Sequence, residues 1–214
     1  MRPIVLIGGG GHCRSVIEAA RSCGQRIAGV LDMPSKVGDK ILDCEVIGTD
    51  NDISRLAGMY DFVVTVGFID DSDVRAEIIK KVYDGRGRFG TIVASSAVVS
   101  PYARIEEGTV VLHNAVVNAG AYVGTNCIIN TGAIIEHDTA IADRSHISTG
   151  AVVNGGCRIG QDVFIGSGTI VNQGLCVGSG IIVASASLVN RHLNEEGIYA
   201  GVPARKIERR WARH

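Results

Sequence analysis

The chain has 214 residues, with Lys+Arg 21 against Asp+Glu 22 and a formal net charge of −1. That balance excludes an electrostatic grip on nucleic acid or a polybasic membrane anchor, and no apolar run approaches the roughly 18 residues of a membrane span. Aromatic residues make up only 5% while Gly reaches 28 residues, so an aliphatic core and frequent turns are expected.

Residues 3–7 (Pro-Ile-Val-Leu-Ile) read as a buried first strand, too short an apolar stretch for a signal peptide. Gly8-Gly9-Gly10-Gly11-His12 follows and leads into an amphipathic helix over 12–23. Residues 26–32 read as a second strand and 61–67 as a third. Residues 71–83 read as a helix with Val74, Ile78, Ile79 and Val82 on one face. Residues 84–90 read as a linker before a last strand at 91–94. Strands alternating with helices in this order point to a small Rossmann-like α/β unit over residues 1–90.

The glycine run lies where a strand gives way to a helix, a place where backbone N–H groups meet phosphate. It is not a dinucleotide fingerprint, because the third glycine of G-x-G-x-x-G would stand at Cys13. Asp32 ends the second strand, where a ribose hydroxyl would be met. A tight βα turn needs the same glycines, so a structural turn and a nucleotide-linked ligand both fit. The six cysteines form no C-x-x-C pair and no zinc-spaced cluster with histidine, so reduced thiols, a cytoplasmic chain and no metal are expected.

From Val93 to Val189 every sixth residue, seventeen in all, is Val or Ile. Small residues recur two places before them. Gly, Asn or Asp recurs three places after them, as at Gly108, Asn114, Gly120, Asn126 and Asp138. These types tolerate φ > 0, so each hexad ends in a turn. The pattern describes a parallel β-helix of triangular coils, about five and a half of them, stacked at roughly 4.8 Å. Cys127 and Cys157 fall in the small-residue column and are packing residues. This second domain takes residues 91–214, including a C-terminal tail.

Uninterrupted hexads of this kind resemble the left-handed β-helix of the hexapeptide-repeat acyltransferases, whose members are typically trimers with acyl-CoA in clefts between neighbouring helices. Small outward residues such as Ala119, Ser148 and Thr149 would allow such close approach. The whole chain is similar to the sialic-acid O-acetyltransferase and nucleotide-amino-sugar N-acetyltransferase group. The resemblance rests on five stretches: Ile7–His12 with Val16-Ile17-Glu18, Val30-Leu31-Asp32, Asn130–Asp138, Ser145–Ala151 and Ala200–Ala204. It implies a catalytic base at His137 with an acidic neighbour at Asp138. It also implies a nucleotide-sugar cradle of Gly10, Gly11, His12, Asp32 and Gly67. Asn130, His146, Gly155, Ser167 and Ser185 are the expected acetyl-CoA contacts. This chain departs from the pattern at Met33, where a second acid is usual, and at Gly67-Phe68-Ile69, where Gly-Asn-Asn is usual. Base and sugar are left open.

The histidines sort by register. His113 and His137 share a hexad slot 24 residues apart, one coil plus one face, so they do not form a metal pair. One coil beyond His137 lies Gly155, which would leave a groove and an accessible N–H for a thioester carbonyl. Asp138 would orient the imidazole, though it also sits in the turn column. His146 falls on another face, and His192 and His214 read as surface residues. An amine attacks acetyl-CoA directly once neutral, so His137 as general base suffices and no Ser or Cys nucleophile is required. The same histidine would serve a hydroxyl, and only the cradle favours N-acetylation of a nucleotide-linked 4-amino-6-deoxy sugar. A non-catalytic β-helix binding module stays open. A zinc carbonic anhydrase, which needs three histidines meeting across subunits, is disfavoured.

Overall fold

The computed structural model describes residues 2–69 and 72–208; His214 lies outside them. The first unit contains β1 (Ile4–Ile7), α1 (Gly11–Ser22), β2 (Ile27–Leu31), β3 (Lys40–Ile41), β4 (Cys44–Gly48), α2 (Ile53–Leu56), β5 (Asp61–Val64), α3 (Asp73–Asp84) and β6 (Arg88–Phe89). The strands form one sheet in the order β3-β4-β2-β1-β5-β6, parallel except for the β3–β4 hairpin. Strand order reverses at β1, so a crevice opens beyond the carboxyl ends of β1 and β5.

Three expectations are corrected here. Residues 84–90 are not all linker, because Arg88 and Phe89 pair with Asp61 and Phe62, and Phe89 packs on Tyr83. The strand expected at 91–94 is the first rung of the β-helix, Ile92–Val93 pairing with Val110–Val111. On α3 the buried stripe is Arg75, Ile79 and Val82, while Val74 faces out. That i, i+4, i+7 set is a proper helical face; a search for apolar residues alone passes over its arginine.

Beyond residue 91 the chain winds as two-residue rungs into three parallel sheets, each strand pairing with the strand 18 residues on, as in Val111↔Ile129↔Ile147. This is the left-handed β-helix. The inward column from Val111 to Val189 is buried, and Cys127 and Cys157 are buried beside it. Asn114, Asn126, Asp138 and Asp162 turn the corners at φ 54 to 59. Buried hydroxyls are satisfied across each corner, Thr109 donating to the Gly124 carbonyl and Thr139 to that of Asn154.

The outward position of each rung gives the three faces different characters. The first face carries Ile92, Val110, Ile128, His146 and Phe164. Its upper part shares a core with Ile4, Leu6, Val16 and Ile17 of the first unit. The second face carries Val98, Val116, Ile134, Val152, Ile170 and Leu188, an aliphatic ladder that stays half-buried to exposed among the described residues. The third carries Arg104, Tyr122, Ala140, Arg158 and Cys176. Ala119 and Thr149 are exposed at corners, whereas Ser148, expected to face outward, is buried. No helix among the described residues is long and apolar enough to cross a membrane.

Candidate functional site

The expected residues fall into two groups on different sides of the prism. The first group surrounds the crevice. Gly8 has φ +105, and a Cβ there would run into the Val66 side chain, so the exit from β1 demands glycine. α1 then begins at a bare N-terminus. Its N-cap is Gly10, no side chain caps it, and its first turn carries no acid. Open space lies over Gly10 and Gly11. Unsatisfied N–H groups facing such space suit an anion. Asp32 is bound from within, accepting from the Gly9 N–H (3.2 Å) and the Met33 N–H (2.8 Å). It therefore latches the glycine loop, with lone pairs to spare for a ligand hydroxyl.

His12, the second residue of α1, lies beside exposed Gly67 and 6.4 Å from the His146 ring. Burial, with help from Arg75 and His146, pushes its titration down to about 3. Its Nε2 is enclosed without a hydrogen-bond partner among the described residues. His146 reaches this crevice from the first face. Its Nδ1–H donates to the Phe68 carbonyl (3.0 Å), a group that only accepts, so Nε2 accepts from the Asn130 amide (3.1 Å). Phe68 and Phe164 meet the ring edge-on at 5.8 and 5.1 Å. Burial drives its titration down to about 4. A neutral ring with both nitrogens engaged positions its neighbours; it has no free lone pair for base chemistry.

The second group stands at the corner between the second and third faces. His137 is half exposed, and its Nδ1 lies 2.9 Å from the Asp138 carboxylate. That contact fixes Nδ1–H as donor and leaves the Nε2 lone pair free. Asp138 does this from the turn column at φ 59, so the turn itself aims the carboxylate. The Gly155 groove is corrected by the structure: the imidazole itself lies over Gly155, where a Cβ would stand 2.6 Å from Nε2. Glu136, which the sequence did not suggest, accepts from Asn118 (2.8 Å) and braces the His137 backbone. Its signal was the polar residue recurring every 18 positions at 118, 136, 154 and 172.

Ser167 and Ser185 lie at the corner between the first and second faces, as Asn130 does. Ser167 is hydrogen-bonded to Ser148 (2.9 Å) and Ser185 is exposed. Within one chain they are separated from His137 and Gly155 by the width of the second face. His113 is engaged by Ser96 at 2.7 Å. Among the described residues no three His, Cys, Asp or Glu side chains gather to hold a metal.

A family model described as the PglD N-terminal domain matches residues 3–82. Perosamine N-acetyltransferase from Caulobacter crescentus, solved as a histidine-to-asparagine variant with CoA and GDP-perosamine, is 31% identical over 98% of both chains, with a TM-score of 0.90. The chain belongs to the nucleotide-amino-sugar N-acetyltransferases of the hexapeptide-repeat group. It is an acetyltransferase of amino sugars, and the zinc-anhydrase and binding-module readings fall away. The acetyltransferase domain of PglB from Neisseria gonorrhoeae is 29% identical, with 97% of this chain and 100% of that chain covered and a TM-score of 0.88. That domain has also been solved with acetyl coenzyme A. WeeI from Acinetobacter baumannii, at 20% identity and a TM-score of 0.85 over 97% of this chain and 100% of that one, shares the fold. Curated protein sequences yield no match.

Proposed function

We propose that this enzyme transfers acetyl from acetyl-CoA to the amine of a nucleotide-linked 4-amino-6-deoxy sugar, as a cytoplasmic homotrimer, with His137 as general base. The observation that carries the reading is the His137–Asp138 contact at 2.9 Å, which leaves Nε2 free at an accessible corner above Gly155. The neutral amine attacks the thioester carbonyl while Nε2 takes its proton. The attack gives a tetrahedral adduct, whose oxyanion calls for a hydrogen-bond donor beside the base. Collapse expels the CoA thiolate, which recovers that proton from the imidazolium. A positioned base of this kind contributes about 10²–10⁴-fold.

Position decides how the two groups meet. The His137 corner is the edge of the prism opposite the first face, and the crevice borders the first face. A sugar held in a chain's own crevice would have to pass around the prism. The aliphatic ladder from Val98 to Leu188 lies between the His137 corner and the corner of Asn130, Ser167 and Ser185. Copies packing through it around a threefold axis would bring one chain's His137 and Gly155 against the next chain's crevice. Acetyl-CoA would lie in the cleft between them.

Acetyl transfer is measured with UDP-, GDP- and dTDP-linked amino sugars against the free sugars. The nucleotide-linked forms are expected to have the far higher kcat/KM, and His137→Ala to abolish transfer with its melting temperature kept. Equal use of free sialic acid would favour O-acetylation instead. A His137→Ala variant with near-wild-type kcat would remove the base from the mechanism.

A further inference from the structure

The junction of the two units contains a cation that the reaction does not use. Arg75, on the buried side of α3, is fully enclosed. Burial draws its titration down only to about 10, so it is charged at neutral pH. Its fork donates to three backbone carbonyls: Nη1 to Val64 (2.8 Å) and Val66 (2.6 Å), Nη2 to Asn126 (2.9 Å). Val64 and Val66 are the exit of β5, while Asn126 is a corner of the β-helix. Between them the Thr65 hydroxyl shares its one proton between the Gly8 and Ile7 carbonyls, and further on the Phe68 carbonyl accepts from His146 Nδ1–H. The segment Val64–Phe68, which carries Gly67, is thus held to both units along its length.

We propose that Arg75 is a positioning residue for the nucleotide-sugar half of the site, clamping Val64–Phe68 to the β-helix so that Gly67, His12 and His146 keep their places around the crevice. This rests on the crevice being the nucleotide-sugar cradle. A fork is required because the three acceptors lie on two elements, and a single ammonium cannot span them in the same geometry. The charge has a second effect, on the pair of histidines. The groups facing His146 are His12 from α1, the Phe68 carbonyl, Arg75 from α3, the Asn130 amide and the Phe164 ring. Cys127 lies against Arg75, its thiol pushed up to about 12 by burial. Arg75 is therefore the fixed positive charge opposing protonation of both histidines.

Arg75→Lys and Arg75→Met are compared with wild type by steady-state kinetics on both substrates and by ¹³C NMR titration of the histidine rings. Arg75→Lys keeps the cation and loses the fork. Its KM for the nucleotide-linked sugar is expected to rise about tenfold, with kcat and the KM for acetyl-CoA within about twofold of wild type. Arg75→Met is expected to show the same KM rise. In addition, the His146 midpoint should climb from about 4 once the neighbouring positive charge is gone. An unchanged nucleotide-sugar KM in folded Arg75→Lys, or an equal rise in both KM values, overturns the clamp. So does an unmoved His146 midpoint in Arg75→Met, and where the Met variant fails to fold, the Lys variant decides alone. The NMR titration needs no substrate, so a wild-type protein inactive on every nucleotide sugar sinks the functional reading while leaving the clamp to be judged by His146.

Discussion

Acidification should destabilise this protein through His146, by an amount the structure sets. The ring is buried between the units and titrates at about 4 when folded, against about 6.5 when the chain is unfolded. For a base whose folded value is lowered, the unfolded state binds the extra proton between those two values. Stability is therefore complete above the unfolded value and is lost as pH falls from about 6.5 toward about 4. Between pH 7.5 and 5 the two protonation equilibria differ by about 2 kcal/mol. His12, pushed down to about 3, acts with the same sign. The comparison is between wild type and His146→Phe, a ring suited to the neighbouring Phe68 and Phe164, unfolded by heat at both pH values. Wild type should lose about 2 kcal/mol more than the variant, roughly 4–8 °C in melting temperature for a chain of this length. Equal losses would refute the claim that burial keeps His146 neutral.

Three further outcomes are expected. Gly155→Ala places a methyl 2.6 Å from His137 Nε2; it should cut kcat by about 10²-fold by displacing the base, with nucleotide affinity measured by calorimetry unchanged. Ile134→Lys puts a charge in the middle of the second face's aliphatic ladder and should give monomers by light scattering with the fold intact by circular dichroism; a variant still of three chain masses would move the interface elsewhere. Mixing inactive His137→Ala chains with chains inactivated in the crevice by Gly11→Asp should restore activity, because hybrid trimers contain sites with one intact crevice and one intact base. No restoration would mean that each chain uses its own His137.

The β-helix was legible because its code is local. An inward aliphatic, a small residue and a turn residue recur within six positions, and each rung repeats the same decision. The Rossmann-like unit was legible at β1, α1 and β2, where apolar runs are long. It was not legible over 40–48 and 88–89, where the two-residue β3 and β6 and the five-residue β4 owe their existence to partners across the sheet, as Phe89 does to Phe62. That Gly155 lies beside His137 was legible by counting 18 residues around one coil. The His146–Phe68 bond spans 78 residues and two units, and no period in the sequence encodes it. Arg75 was hidden for the opposite reason, since a charged residue in a helix is ordinarily read as its solvent side.

The hexads contain a second, slower period. The residue before each inward aliphatic, sorted by its place in the 18-residue coil, separates into three columns. One reads Ile92, Val110, Ile128, His146, Phe164; another Val98, Val116, Ile134, Val152, Ile170, Leu188; the last Arg104, Tyr122, Ala140, Arg158, Cys176. Two apolar columns on one prism require two covers, because exposed aliphatic ladders of this length are a liability in a soluble β-fold. Among the described residues the first unit supplies one cover, and the second column is where a copy of the chain would supply the other. On that arrangement the base and the cradle need not lie on the same side of one prism. The corner opposite the first face is remote from its own crevice, and packing through the second face is what would bring it to another. With His137 as the proposed base and a trimer as the proposed assembly, that corner would tie acetyl transfer to assembly, and a monomer would hold a base without its cradle.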